Sequence, residues 1–347
     1  MNRRAINWQE CAVALAGALP RERLHPAVVA WTARSPARAR WAVAFSGGAD
    51  SLALLLLVWA HWPERRGRLV ALHFNHRLRG RAANADEKFC GRVCTALGVK
   101  FVRGAWAEAR PDASEGEARV ARLAFFAKHA RALWLGHQQD DIAESMFMRL
   151  ARGSGAGGLA APRPVQPMTG GRVHLRPLLT LKKSEVTAAL RAAGAAWRED
   201  ASNAAGSFFR NRVRHRVLPA WCAAAQRDGL AGAARSRELL EEDDDALEAW
   251  LAAIRPITPG GALSLRRLAG KPRAVWRRAL HRWLLRLPGA GRNLSRQAVE
   301  AILRDAMRGR VTRHSLGAAG FGVISKTGLR HAATVRKESG RRRRGPN

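Results

Sequence analysis

The amino-acid sequence predicts an α/β protein: a parallel sheet wrapped by helices, followed by a smaller, mainly helical C-terminal domain. Three observations carry this expectation. Short apolar runs alternate with helical patterns between residues 41 and 151, polar and Gly-containing motifs sit where those runs end, and beyond about residue 220 helical periodicity takes over. Of the 347 residues 47% are hydrophobic, enough for a sizeable core and a second domain.

Residues 1–40 place Trp8, Cys11, Ala12, Leu15 and Leu19 at helical spacing and then turn Arg- and Pro-rich, which reads as a helical N-terminal extension and linker without chemistry. A main domain is expected over 41–219. Strand WAVAF (41–45) leads into a helix beginning near Asp50, and LVALHF (69–74) precedes a helical pattern at 82–97. KFVRG (100–104) precedes a helix at 115–131, and ALWLG (132–136) one at 141–151. In such sheets ligands lie beyond the carboxyl ends of the strands, and each motif described below falls there. A Gly-rich loop, GSGAGGLAAP (153–162), is expected to be mobile; LRPLL (175–179), a helix through 181–193 and WREDASNAAGSFFRNRVRHRVLP (197–219) follow. A C-terminal domain is expected over 220–335, with an acidic patch EEDDD (241–245), a β-like stretch at 311–332, and a basic, disordered tail at 336–347. The acidic patch reads as a solvated helix face or a cation site.

Charge narrows the function classes. Lys and Arg outnumber Asp and Glu by 61 to 27, a formal charge of +34, which points to a polyanionic partner such as nucleic acid. Arg-rich coding would account for the choice of Arg over Lys but not for the scarcity of acids. The four cysteines, Cys11, Cys90, Cys94 and Cys222, lack zinc-ligand or disulfide-framework spacing, which fits a reducing cytoplasm. The longest apolar run, Leu52 to Ala60, is too short to span a bilayer, and the N-terminus lacks the order of a signal peptide, so neither membrane insertion nor export is expected.

Two motifs carry most of the chemistry. Ser46, Gly47, Gly48, Ala49, Asp50 and Ser51 lie between an apolar strand and a long apolar helix. The glycines let backbone amides approach an anion, the hydroxyls add donors and the helix N-terminus adds its dipole, so the string reads as a phosphate cradle rather than a plain turn. It is not a Walker A motif, because no Gly-Lys-Ser/Thr follows. Asp50 beside such a cradle either places a magnesium ion between its carboxylate and the phosphates or simply complements the helix dipole. In the second motif, GHQQDDIAE (136–144), Asp141 and Glu144 fall three apart on one helix face at a strand end. The pair could seat an amino group or cap the helix.

Between them lie weaker signals. His73 and His76 of HFNHRLR follow the second strand and suit an ATP site; a metal pair is the alternative, without a third ligand nearby. Arg119 and Arg122 share one face of a predicted helix, suited to stabilising charge on a transferring nucleotide or to an ordinary solvated face. Arg210, Asn211, Arg212, Arg214 and Arg216 read as contacts to a nucleic-acid backbone or as plain surface residues.

Taken together, SGGADS, HFNHRLR, EARVARL, GHQQDDIAESMFMRLARGSGAGGLA, LRPLL, and WREDASN followed by FFRNRVRHRVLP resemble the tRNA(Ile)-lysidine synthetase family of the PP-loop, or N-type ATP pyrophosphatase, superfamily. The resemblance covers about 41–221 and weakens beyond. Where that family often carries an acid in HVDHxLR, this chain has Asn75. The resemblance implies a Rossmann-like, adenine nucleotide alpha hydrolase-like fold. It implies ATP and magnesium as cofactors, with Asp50, Arg119, Asp141 and Glu144 in catalysis. Ser46 to Ser51 with His73 and His76 would bind ATP, and Asp141 and Glu144 would bind free lysine. The partner implied is tRNA(Ile) with a CAU anticodon, held by Arg210, Asn211, Arg212 and Arg214. No protein partner is indicated, which leaves a homodimer compatible with the sequence. Sulfur transfer to tRNA, small-molecule amidation and non-catalytic RNA binding are the competing readings; the first would need reactive cysteines, and the second leaves the charge unexplained.

Overall fold

The computed structural model describes residues 6–77, 81–108, 110, 115–199, 209–287 and 294–333. They form two compact units, 1–241 and 242–347.

In the first unit, among the described residues, six strands form one sheet in the order β3-β2-β1-β4-β6-β5. The strands are β1 (Trp41–Ala44), β2 (Leu69–Asn75), β3 (Lys100–Ala105), β4 (Ala132–Trp134), β5 (Val165–Met168) and β6 (Arg172–Leu175). β1 pairs in parallel with β2 and β4, β2 with β3 and β4 with β6; β5 turns back antiparallel on β6. The parallel order follows from crossover helices, as the sequence predicts: α3 (Ala49–His61) after β1, α4 (Arg81–Leu97) after β2, α5 (Glu115–His129) after β3 and α6 (Gln139–Leu150) after β4. Leu52 through Trp59 of α3 are all buried, which is why that helix reads as a continuous apolar run. α8 (Lys183–Ala192) lies beside it in the same core through Val186 and Leu190. On the opposite face Phe126 of α5 and Ala130 just after it pack with Ala42, Val70, Leu72 and Leu133.

Two expectations about organisation are revised. Residues 6–40, expected as a helical extension and linker, are helical but join the main core: Trp8, Cys11, Leu15, Leu19, Leu24 and Val28, from α1 (Trp8–Ala18), the following turn and α2 (Pro26–Arg34), pack with α3. Arg65 ties the linker down by donating to the carbonyls of Ser35, Pro36 and Ala37 at 2.9, 2.8 and 2.9 Å. The boundary expected at 219/220 lies at 241/242, inside α11 (Gly229–Ile254). The residues just past 219 stay with the first unit because Trp221 of α10 (Leu218–Ala225), Leu230 and Ala233 pack with Ala143, Phe147 and Val213. The Gly-rich loop holds one short helix, α7 (Ala156–Leu159), with the Arg149 guanidinium on the Gly158 carbonyl. α9 (Phe209–Arg212) runs through a π-helical turn, Val213–Val217, into α10.

The second unit combines α12 (Leu265–Leu268), α13 (Arg273–Leu284) and α14 (Arg296–Met307) with an antiparallel sheet ordered β7-β10-β9-β8. The β-like stretch at 311–332 becomes β8 (Thr312–Ser315), β9 (Phe321–Ile324) and β10 (Gly328–Ala332), joined by the short β7 (Leu263–Ser264). Trp276, Leu280, Trp283, Ile302, Leu303 and Leu329 form its core. Asp244 of the acidic patch, with Glu248 beyond it, is engaged by Arg278, and Arg282 also reaches Glu248, so that stretch is an ion-paired helix face. The tail at 336–347, the Leu78–Arg79 end of HFNHRLR and Asp200–Asn203 of WREDASN lie outside the described residues. No helix among the described residues is long and apolar enough to cross a membrane.

Candidate active site

The cradle forms where β1 ends. Gly47 takes φ +91°, a conformation strained for residues with a Cβ, and an added Cβ would sit 3.2 Å from Cys90 Sγ and 3.3 Å from Phe89 Cδ1. Gly48 is the N-cap of α3, and among the described residues no side chain caps the amides of the first turn, which Ala49, Asp50 and Ser51 open. Ser51 Oγ donates to Gly48 O at 3.0 Å, accepts the Ser46 N–H at 3.2 Å and lies 3.1 Å from Ser46 Oγ. The two serines thus fix the curl of the loop around the position an anion would take.

Asp50 is the anomaly in this loop. Its Oδ1 is buried without a hydrogen-bond partner. Burial is the main reason its carboxyl is pushed up to about 6, with Asp141 and Asp140 adding repulsion and Lys183 and Arg214 opposing it. A buried carboxylate oxygen without a hydrogen-bond partner among the described residues is the kind of hard donor that, with phosphate oxygens, magnesium prefers. The residues therefore fit the magnesium expected from the sequence, with Asp50 as the residue that would hold it.

The second cluster lies at the start of α6. Glu144 is fully buried and Asp141 is 8% exposed. Asp141 caps the helix, one of the two readings the sequence left open, with Oδ2 accepting the Gln138 N–H at 3.0 Å, and its Oδ1 accepts Arg210 Nη2 at 2.6 Å. Glu144 accepts Arg210 Nε at 2.7 Å and Arg214 Nε and Nη2 at 2.5 and 3.0 Å. Arg210 and Arg214, expected on a nucleic-acid backbone, are thus turned inward onto the carboxylates. Their spacing of four around the α9 and π-turn segment puts them on one face, while Arg212 and Arg216 are exposed and Asn211 is half-buried. Asp140 has a different task, accepting the Lys183 N–H at 2.9 Å and so capping α8. A cavity of about 210 Å³ opens beside this cluster, lined by Asp140, Glu144, Lys183, Arg214, Leu218 and Leu230 among others.

The remaining expected residues divide. His73 is buried and its Nδ1 donates to Phe45 O at 2.9 Å, bracing the strand that leads into the cradle; burial holds it below its ordinary pKa, so it acts as a neutral strut. His76 follows β2 with its ring edge-on to Phe74 at 5.0 Å. Asn75 donates from Nδ2 to Asn84 Oδ1 and Glu87 Oε2, each at 3.3 Å, where an acid would face the Glu87 carboxylate instead. Arg119 is exposed on α5 and contributes to the positive field around His137 and Arg176.

Several contributors escaped the sequence reading. Gly136 packs against the first turn of α3, where a Cβ would lie 2.8 Å from Asp50 O. Arg198 N–H donates to Gly47 O at 2.9 Å and its Nε to Asp86 Oδ1 at 2.8 Å, so Arg198 is strapped across the cradle. The Arg had no evident signal in the sequence, although its place in a motif beside two acids marked the segment.

Residues 25–221 match the family model of the PP-loop domain. A tRNA(Ile)-lysidine synthase of Geobacter sulfurreducens is 38% identical over 281 residues, covering 76% of this chain and 59% of that protein. One from Aromatoleum aromaticum is 37% identical over 271 residues, covering 76% and 62%. The chain therefore spans about three-fifths of the length of these curated relatives. Among solved structures, a U34-tRNA thiolase from Methanococcus maripaludis with its [4Fe-4S] cluster gives a TM-score of 0.49 at 17% identity, covering 67% of this chain and 79% of that one.

Proposed function

The chain belongs to the PP-loop domain family, and from that premise we propose that it is a tRNA-modifying ligase that converts the wobble cytidine of tRNA(Ile) with a CAU anticodon into lysidine. The observation that carries the reading is the meeting of a phosphate cradle and its orphaned Asp50 oxygen with the buried Asp141 and Glu144 pair, close enough for Asp141 to press on Asp50. The names of the relatives above, at 37–38% identity, support it.

In this reaction the cytidine O2 attacks the α-phosphorus of ATP, the bond to the β-phosphate oxygen breaks and pyrophosphate leaves. The ε-amine of free lysine then attacks carbon 2, the C2–O bond breaks and AMP departs with that oxygen. Ser46 through Ser51 hold the phosphates at the N-terminus of α3, and Arg119 stabilises charge on the nucleotide. Magnesium bound at Asp50 would neutralise phosphate charge. Asp141 and Glu144 bind the lysine ammonium and accept the proton it must lose. With an ordinary pKa of about 10.4, roughly one lysine in 2,500 is uncharged at pH 7, so a carboxylate acceptor has a defined task. The two carboxylates are met by two guanidiniums, so the ammonium binds by taking over part of those contacts. Arg210 and Arg214 position those carboxylates, and Arg212 and Asn211 lie on the segment that meets the tRNA backbone.

A sulfur-relay chemistry is not favoured by the thiols. Cys90 and Cys94 are fully buried, and burial pushes Cys94 up to about 12 and Cys90 higher still, the reverse of a reactive cysteine. The proposed reaction is tested by following pyrophosphate and AMP release from ATP. Release of both, dependent on unmodified tRNA(Ile) bearing CAU and with AMP also dependent on lysine, is expected; release that ignores the tRNA would overturn the assignment.

A further inference from the structure

Parallel strands β4 and β6 stay paired to their carboxyl ends, where Leu135 N–H donates to Leu175 O at 2.8 Å. The residues that follow on the two strands are therefore brought together. Arg176 Nε donates to His137 Nδ1 at 3.3 Å, its Nη1 to Arg163 O at 2.7 Å, and its N–H to Pro164 O at 2.8 Å. Arg176 is only 6% exposed. With Nδ1 accepting, His137 carries its proton on Nε2 and offers a further donor.

The charge around this pair is predominantly positive. Burial, then Arg119 and Arg149, bring Arg176 down to about 10 against the opposing pull of Asp141. Burial with Arg176, Arg172 and Arg119 holds His174 at about 4, and His137 is held well below its ordinary range by burial and by Arg176, Arg210, Arg119 and Arg122. Among the described residues Arg176, Arg119 and Arg149 make no carboxylate ion pair. A guanidinium withdrawn from water among like charges is costly, and the cost is offset when a multiply charged anion enters. Guanidiniums on three elements that act on one another electrostatically suit the several oxygens of a phosphate better than one carboxylate.

We infer that Arg176 and His137, flanked by Arg119 and Arg149, form a phosphate-binding subsite separate from the Ser46–Ser51 cradle, taking a phosphate ester of a nucleotide. Two sources share that chemistry, a phosphodiester of the RNA and the phosphate chain of ATP. The inference rests on the proposed function for the identity of the nucleotide and not for the presence of phosphate.

The test measures two equilibria on the purified full chain: ATP with magnesium in the absence of RNA, by calorimetry, and unmodified tRNA(Ile) bearing CAU in the absence of ATP, across a salt series. Losing one charge-assisted contact should weaken binding about 10- to 150-fold. If the RNA fills the subsite, Arg176→Gln lowers tRNA affinity by that factor and shallows the log–log salt slope by about 0.7 to 0.9, with ATP binding unchanged. If ATP fills it, ATP binding falls and the tRNA slope holds. Because Arg176 also supports the Arg163 carbonyl, Arg149→Gln, on the flank to which the proposed reaction gives no role, is run beside it and decides the matter should Arg176→Gln fail to fold. Unchanged affinities and slope in the folded variants overturn the inference, as does a wild-type chain that binds neither probe. Loss of binding in the variants of a chain that never incorporates lysine would sink the proposed function and leave the subsite standing.

Discussion

Replacing Asp50 by Asn separates stability from function in opposite directions. The Asp50 carboxyl rises from its ordinary 3.8 to about 6, chiefly through burial. Each tenfold change in acidity constant is worth about 1.4 kcal/mol, so holding Asp50 ionised costs the RNA- and nucleotide-free protein about 3 kcal/mol at neutral pH. The sign follows from proton binding: below about 3.8 the carboxyl is neutral in folded and unfolded chains and nothing is lost, whereas between about 4 and 6 the folded chain holds a proton the unfolded one has released. Stability therefore falls as pH rises through that window, and the penalty is complete above it. Asp50→Asn removes the charge while keeping the shape. It is expected to stabilise the first unit by about 2–3 kcal/mol at pH 8, a Tm rise of about 2–4 °C for each kcal/mol, with the advantage vanishing below pH 4. The same variant is expected to lose tRNA-dependent pyrophosphate release, and magnesium with ATP should stabilise it less than the parent. The assay is chemical denaturation of both proteins at pH 4, 6 and 8 beside pyrophosphate release. A variant no more stable than the parent at pH 8, or one that still releases pyrophosphate, would refute the reading of Asp50 as a strained cation ligand.

Asp141→Asn and Glu144→Gln should still trap adenylated tRNA without lysine but require much more lysine for transfer, a loss of about 2–5 kcal/mol in lysine binding; if adenylation falls as severely as in Asp50→Asn, the pair belongs to the ATP site. Gly136→Ala places a Cβ 2.8 Å from Asp50 O, backbone that cannot swing aside. A cost of about 1–3 kcal/mol in stability and a raised KM for ATP are expected, and an unchanged KM would show that the first turn of α3 has room to shift. Binding of tRNA should weaken linearly with log salt, by about 0.7 to 0.9 per phosphate contact; a flat profile would mean the +34 charge is not used on RNA.

Local pattern made the sheet legible. Strands and crossover helices alternate with different hydrophobic periods, so β1 to β4 and the helices after them fall within a few residues of their expected places, and the cradle is read from Ser46 to Ser51 because its chemistry is contiguous. What stayed hidden is long-range. Arg210 and Arg214 look like surface arginines until the fold brings Glu144, 66 and 70 residues away, against them. Asp140 looks like a cap for its own helix and instead caps one 43 residues on. The apolar face of residues 8–19 was visible, but nothing local says that it docks on α3. The unit boundary was missed because helical periodicity runs unbroken through Glu241 while the packing partners change.

The most direct test of the account is incorporation of labelled lysine into unmodified tRNA(Ile) bearing CAU, with ATP and magnesium present. Label is expected in the anticodon wobble nucleotide, dependent on ATP and absent from a tRNA whose wobble position is not cytidine. Absence of label under conditions where the tRNA is bound and ATP is present would contradict it.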